Sequence, residues 1–283
     1  VGEDAAQRGS RILGDLHTLR DWRGGGERSR GRERFSPRHT IYSSPKAPAN
    51  LEKATSAARF PGVIETLLPG AAAVVEAFGD PAEAALYPQE HEQVKLAVDR
   101  RVREFATVRH CARRALAQLG VPPAPILSDE HGAPRWPEGI VGSMTHTHGY
   151  RAAAVAQATD LATLGMDAEP HEPLPAEILA MVGLPDELRH LEDLAVGTPA
   201  VYWDRLLFSA KEAVYKAWYP LTGAWLDFEE ASIRFTPGTF FARLLVPGPV
   251  LAGTRLTGFA GRWKVEEGFV FAAVSVPAVE AAA

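Results

Sequence analysis

The 283-residue sequence contains a single cysteine, Cys111, so no internal disulfide can form, which suits a reducing compartment. No apolar run approaches the roughly eighteen residues of a bilayer span, and no charged, apolar and small-residue leader opens the chain. A cytoplasmic protein without a membrane partner is therefore expected. Basic charge is not in excess either: the net charge of −5 argues against general nucleic-acid binding. Cys111 falls on a predicted helix beside Arg109, His110, Arg113 and Arg114. Such neighbours lower a thiol pKa, yet the expected role is that of a small packing residue.

What is present reads as an ordinary globule, with 46% apolar and 23% charged residues and enough chain for one large domain or two small ones. Residues 1–59 stand apart. They are rich in Arg, Gly and Ser, have no sustained apolar period, and are expected to form a disordered extension. The Arg/Gly run at 23–32 lacks interleaved aromatics, which speaks against an RNA-binding tail. The absence of an initiating methionine also allows for a misplaced start or an added leader.

From residue 60 the periodicities alternate. Strands are predicted over 71–78, 139–145, 151–156 and 161–169, and again over 233–235, 240–245, 256–265 and 269–276. A long helical region opens at Pro88 and runs to 119, with Val98, Val102, Phe105, Val108, Ala112 and Leu116 inward and a row of arginines outward. A short helix is predicted over 185–194. Another begins at Thr198-Pro199 and is ended by Pro220 and Gly223. The apolar loop at 225–228 serves as core cover or as part of a rim that meets a protein partner. Strands interleaved with two long helices indicate an α+β fold.

Two stretches organise the chemistry. In Leu164-Gly165-Met166-Asp167-Ala168-Glu169 a period of two puts Asp167 and Glu169 on one face of a strand. Two carboxylates so placed repel one another unless a cation or a proton lies between them, which suggests a hard-metal site. In the second stretch, Arg205, Ser209, Glu212 and Lys216 recur at three- and four-residue steps and form a polar helix stripe that can face the strand carboxylates. Taken singly, each motif is more often solvated surface charge.

Together they resemble a family. Leu164 to Glu169 is similar to the Gly-Ile-Asp-x-Glu block of the 4′-phosphopantetheinyl transferases, and 203–217 to their W-x₄-F-x-x-K-E-A-x-x-K-A block; Gly142-Ser143-Met144-Thr145-His146 resembles their upstream Ser-His turn. The blocks occur in the family's order and the resemblance covers roughly 67–276. Their wording is most similar to the large monomeric, surfactin-synthetase-activating type, in its actinobacterial group. The resemblance implies two similar α+β halves in pseudo-two-fold arrangement: 60–160 with the coenzyme A-binding helix and loop, and 161–283 with the metal-binding and catalytic helix.

It further implies transfer of 4′-phosphopantetheine from coenzyme A to a serine of an acyl or peptidyl carrier protein. Asp167, Glu169 and Glu212 would hold Mg²⁺, with Mn²⁺ as the other candidate. Lys216 would act in catalysis, and Glu212 would accept the serine proton directly or through a water. Arg101, Arg109, Thr145 and His146 would hold the coenzyme together with Asp167 and Lys216. Many relatives carry Gly-Lys-Pro in the loop at 132–134, where this chain has Ala133. Arg135 is the candidate replacement for that lysine, with His131 as the other. Relatives of this size act as monomers. A metal-dependent phosphoesterase and a non-catalytic carrier-protein binder are the other readings.

Overall fold

Residues 62–279 are described in the computed structural model; the extension expected over 1–59 lies outside them. After a 3-10 turn at Ile64–Leu67, the chain forms β1 (Ala73–Ala77), α1 (Pro88–Val94), α2 (Asp99–Gln118), β2 (Ile140–Thr147), β3 (Tyr150–Gln157) and β4 (Leu161–Pro170). Two short helices follow, α3 (Ala176–Val182) and α4 (Pro185–Gly197), then the long α5 (Trp203–Thr222). The rest is β5 (Ala231–Thr236), β6 (Thr239–Leu244), the two-residue β7 (Val250–Leu251) and β8 (Thr254–Arg255), β9 (Gly258–Glu266) and β10 (Phe269–Pro277).

The strands make a three-stranded sheet in the order β1-β3-β2 and a five-stranded sheet in the order β4-β10-β9-β6-β5, with β7 and β8 as a separate ribbon. All pairings in the two main sheets are antiparallel. Alternation along β3 explains how the sheets stack. Ala153 and Val155 join Cys111, Ala112, Ala115 and Leu116 of α2 in one core, whereas Tyr150, Ala152, Ala154 and Ala156 point the other way. There they meet Leu164, Met166, Ala168, Phe271 and Ala273 of the second sheet. Helix α5 packs on β4 and β10 from the far side. The layers therefore run helix, sheet, sheet, helix, and the alanines of β3 let the two sheets approach closely. Cys111 is buried in the first core, and burial pushes its thiol up to about 11, in keeping with a packing role.

β2 and β4 lie side by side without sharing a backbone ladder. Instead the outward amides of β4 are satisfied by hydroxyls of β2: Met166 N donates to Ser143 Oγ (3.1 Å) and Ala168 N to Thr145 Oγ1 (3.2 Å). Both hydroxyl residues are buried, so each bond meets an amide that water cannot reach.

The helical region that opens at Pro88 is broken. Helix α1 ends at Val94 and α2 starts at Asp99, with Val98, expected inward, 65% exposed at its N-cap. The cause is the buried Glu90, which pairs with Arg113 at 2.9 Å. In one continuous helix the 23 residues between them would span about 35 Å, so the chain must fold back. Helix α5 begins at Trp203 rather than at Thr198-Pro199. Pro220 is accommodated in its last turn, and Gly223 ends it in the left-handed conformation, donating to Tyr219 O at 2.8 Å. Helix α3 carried no sequence signal that set it apart from a Pro- and Glu-rich loop. Among the described residues no helix is long and apolar enough to cross a membrane.

Two contacts fix α5. The first is steric: a Cβ built on Gly165 would lie 2.1 Å from Ala213 O and 2.6 Å from Ala217 N, so only glycine lets the helix come so near β4. The second is ionic. Lys211 is buried against Glu187 of α4 at 2.8 Å and donates to Phe228 O and Ala231 O, while Glu187 also accepts from Ile233 N. Burial pulls the Lys211 pKa down, and Glu187 opposes that shift.

Gly165→Ala is expected to destabilise the protein by about 2 kcal/mol or more through overpacking against helix backbone, read as a lower urea midpoint. Lys211→Met strands Glu187 as a buried unpaired charge and is expected to cost about 3–5 kcal/mol, measured in the same titration.

Candidate active site

The site is built where the two sheets meet under α5. Asp167, fully buried on β4, turns to the helix. Its Oδ1 accepts from Lys216 Nζ at 2.7 Å and from Thr145 Oγ1 at 3.0 Å, and Lys216 also reaches Met166 O at 3.2 Å. Asp167 Oδ2 is buried with no hydrogen-bond partner. The Lys216 side chain is 24% exposed, so the pair is sealed on the carboxylate side and opens toward solvent at the ammonium. Thr145 thus orients Asp167, a role that the letters of the Ser-His turn could not reveal.

Glu169, two residues along the same face, takes a different cation. Arg205 Nη1 lies 3.3 Å from its Oε2, and the same guanidinium donates to Glu172 O and Pro173 O. Glu212 is buried on α5 one turn before Lys216. Asp167 and Glu169 lie on the same strand and Glu212 on the helix that covers it. Among the described residues no three His, Cys, Asp or Glu side chains form a ready metal-binding group. An unpaired buried carboxylate is costly, so each strand acid engages the nearest cation, Lys216 for Asp167 and Arg205 for Glu169. The donor types still suit a hard divalent ion, because they are carboxylate oxygens and one of them, Asp167 Oδ2, is an orphaned buried acceptor.

The first half supplies the opposite wall. Adjacent residues of β2 point to opposite faces, so Thr145 meets Asp167 while His146 meets α2. Arg101 Nη1 donates to His146 Nε2, and Glu104 lies 3.7 Å from His146 Nδ1. A guanidinium can only donate, which puts the imidazole proton on Nδ1, toward Glu104. Glu104 in turn faces Arg151, which pairs with Asp80 at 3.2 Å.

Arg109, expected to hold the coenzyme, is also engaged within its own half of the chain. It is buried over the Phe105 ring, with Nε on Ile126 O (2.9 Å) and Nη2 on Ser128 Oγ (3.0 Å). Burial lowers its pKa to about 9, which leaves it charged at neutral pH. Two of its three nitrogens hold the 126–136 loop, so a ligand meets Arg109 through Nη1 or through that loop. Arg135 is exposed, and its backbone amide donates to Leu127 O. Ala133 offers no side-chain donor, and its amide is held by Asp129 Oδ1 at 2.9 Å. Sequence reasoning missed Arg205 as the partner of Glu169, although its place on the same helix stripe as Glu212 and Lys216 was a usable signal. It also missed Asp129, which carries no motif.

Two family models match the chain, the 4′-phosphopantetheinyl transferase N-terminal domain over residues 89–156 and the 4′-phosphopantetheinyl transferase superfamily over 163–271. The 4′-phosphopantetheinyl transferase Svp of Streptomyces mobaraensis is 57% identical over 221 residues, covering 76% of this chain and 90% of that protein. Npt of Nocardia iowensis is 47% identical, covering 75% of this chain and 99% of its own length. PptT of Mycobacterium tuberculosis is also 47% identical, over 71% and 91%. With both halves matched in order and the blocks around His146, Asp167 and Lys216 assembled at one seam, the chain belongs to the 4′-phosphopantetheinyl transferase superfamily.

Proposed function

We propose that the chain transfers 4′-phosphopantetheine from coenzyme A to a serine hydroxyl of an acyl or peptidyl carrier protein, in the cleft around Asp167. The serine oxygen attacks the phosphorus bearing the pantetheine arm. The pyrophosphate P–O bond breaks, and adenosine 3′,5′-bisphosphate leaves with its electron pair. Such a reaction asks the protein mainly for position and charge neutralisation.

The observation that carries this reading is the buried Asp167 carboxylate, gripped from the first half by Thr145 and from α5 by Lys216, with Oδ2 still unsatisfied. Asp167, Glu169 and Glu212 are the residues we assign to a magnesium ion, which when bound neutralises pyrophosphate charge. Lys216, at the solvent-open end of its pair, stabilises the charge that grows on the departing phosphate. Glu212 takes the serine proton, directly or through a water. Arg101 and Arg109 supply positive charge for the coenzyme's phosphates, His146 stands beside Arg101 as a further polar contact, and exposed Arg135 adds charge where the loop lacks a lysine. The 60–160 half holds the nucleotide and the 161–283 half the reacting groups. We take the enzyme to act as a monomer in the cytoplasm.

The test is intact-mass measurement of an apo carrier protein incubated with the enzyme and coenzyme A. A mass gain is expected with Mg²⁺ and none after chelation. Asp167→Ala should lower the rate by about three powers of ten, the scale of several kcal/mol of lost charge stabilisation. Coenzyme A cleaved without carrier would instead mark a phosphoesterase. Lys216→Ala should lower kcat far more than it raises KM for coenzyme A. A pure KM effect would move Lys216 to binding.

A further inference from the structure

The loop at 126–136 is fixed to its own half at its base. Ile126 N donates to Glu90 Oε1 at 2.8 Å, Arg109 holds Ile126 O and Ser128 Oγ, and Gln93 bonds both Ser128 N and Ser128 O. Its tip is organised by Asp129. Asp129 Oδ1 accepts from the amides of His131 and Ala133, both at 2.9 Å, and Asp129 N donates to Ala133 O at 2.8 Å. The remaining oxygen leaves the loop: Oδ2 accepts from the Tyr219 hydroxyl of α5 at 3.0 Å. The His131 ring lies edge-on to Tyr219, with centroids 5.8 Å apart. Tyr219 is three residues beyond Lys216, a step that puts both side chains on one flank of the helix.

We propose that the Tyr219–Asp129 hydrogen bond is a latch across the cleft, which holds the tip of the first-half loop against the catalytic helix and so pre-organises the coenzyme-binding side of the site. Tyr219 and Asp129 are positioning residues, and neither touches reacting atoms. What the loop helps to hold rests on the transferase reading above; the latch itself does not. This chain has Ala133 at the tip, where a side-chain cation cannot hold the loop onto a bound phosphate. The closed position must then come from the protein, and Asp129 provides it with one oxygen for the loop and one for the helix. Burial and the adjoining carboxylate raise the Tyr219 pKa, so the phenol stays a donor through the neutral range.

The consequence is a population effect. If only a fraction of unliganded molecules keeps the loop tip closed, apparent affinity for coenzyme A falls by that fraction, while the saturated complex is unchanged. Tyr219→Phe removes the latch and keeps the ring. It is expected to raise KM for coenzyme A about tenfold, the scale of one hydrogen bond to a charged group, with kcat within about twofold and the melting temperature unmoved. Amide exchange over 127–135 should quicken in the unliganded variant, with β3 and β4 unchanged. Asp129→Asn, which keeps an oxygen for the loop amides, should raise KM less than Asp129→Ala.

The latch is overturned if Tyr219→Phe leaves both KM and loop exchange at parental values, or if kcat falls while KM holds. Should the parent enzyme add no mass to any carrier, the transferase reading fails. Loop exchange in the unliganded protein still decides the latch in that case.

Discussion

How closely α5 lies on β4 governs the rest of the molecule. Gly165 removes the one side chain that would hold the helix away, and the neighbouring Asp167 then meets Lys216 at hydrogen-bond distance under a lid of helix backbone. Burial makes the pair matter: in a low-dielectric setting a charge is costly when single and strongly directing when matched. The same geometry pins Glu169 to Arg205 further along the strand, so one antiparallel helix-on-strand contact orders acids and cations along a line. The glycine in the strand block is therefore as much part of the site as its acids.

Ionic contacts elsewhere show the same division of labour. Glu187–Lys211 and Glu90–Arg113 are buried pairs that close packing between consecutive elements, and neither includes a strand acid of β4. Lys211 and Lys216 differ by five positions on one helix, which sends one toward α4 and β5 and the other toward β4. One lysine holds the helix in place, and the other is available to chemistry.

Local order was legible in the letters. The period of two in 164–169 put both acids on the helix-facing side, and the steps of three and four in 205–216 placed a polar stripe against them, as the structure has it. The strands of both sheets fell close to their predicted ranges, and Cys111 is the packing residue it was taken for. What escaped was non-local. The break at 95–98 depends on Glu90 finding Arg113 across a fold-back, and no periodicity records that. Thr145 could not be recognised as the support of Asp167 because that contact requires strands of two different sheets to come side by side. The pairing of Glu169 with Arg205 escaped as well, because only the folded chain brings the two together. Asp129 has neither motif nor period to betray it.

The hydroxyl joint between β2 and β4 has a geometric corollary. A backbone ladder would draw the strands to the ~4.8 Å spacing of a continuous sheet and zip the boundary shut. Ser143 and Thr145 act instead as spacers one side chain wide, satisfying β4 while keeping its neighbour at arm's length. Because both hydroxyls are buried, the boundary stays dry, and the two layers are tied by two oxygen atoms that stand where peptide groups would otherwise have to meet.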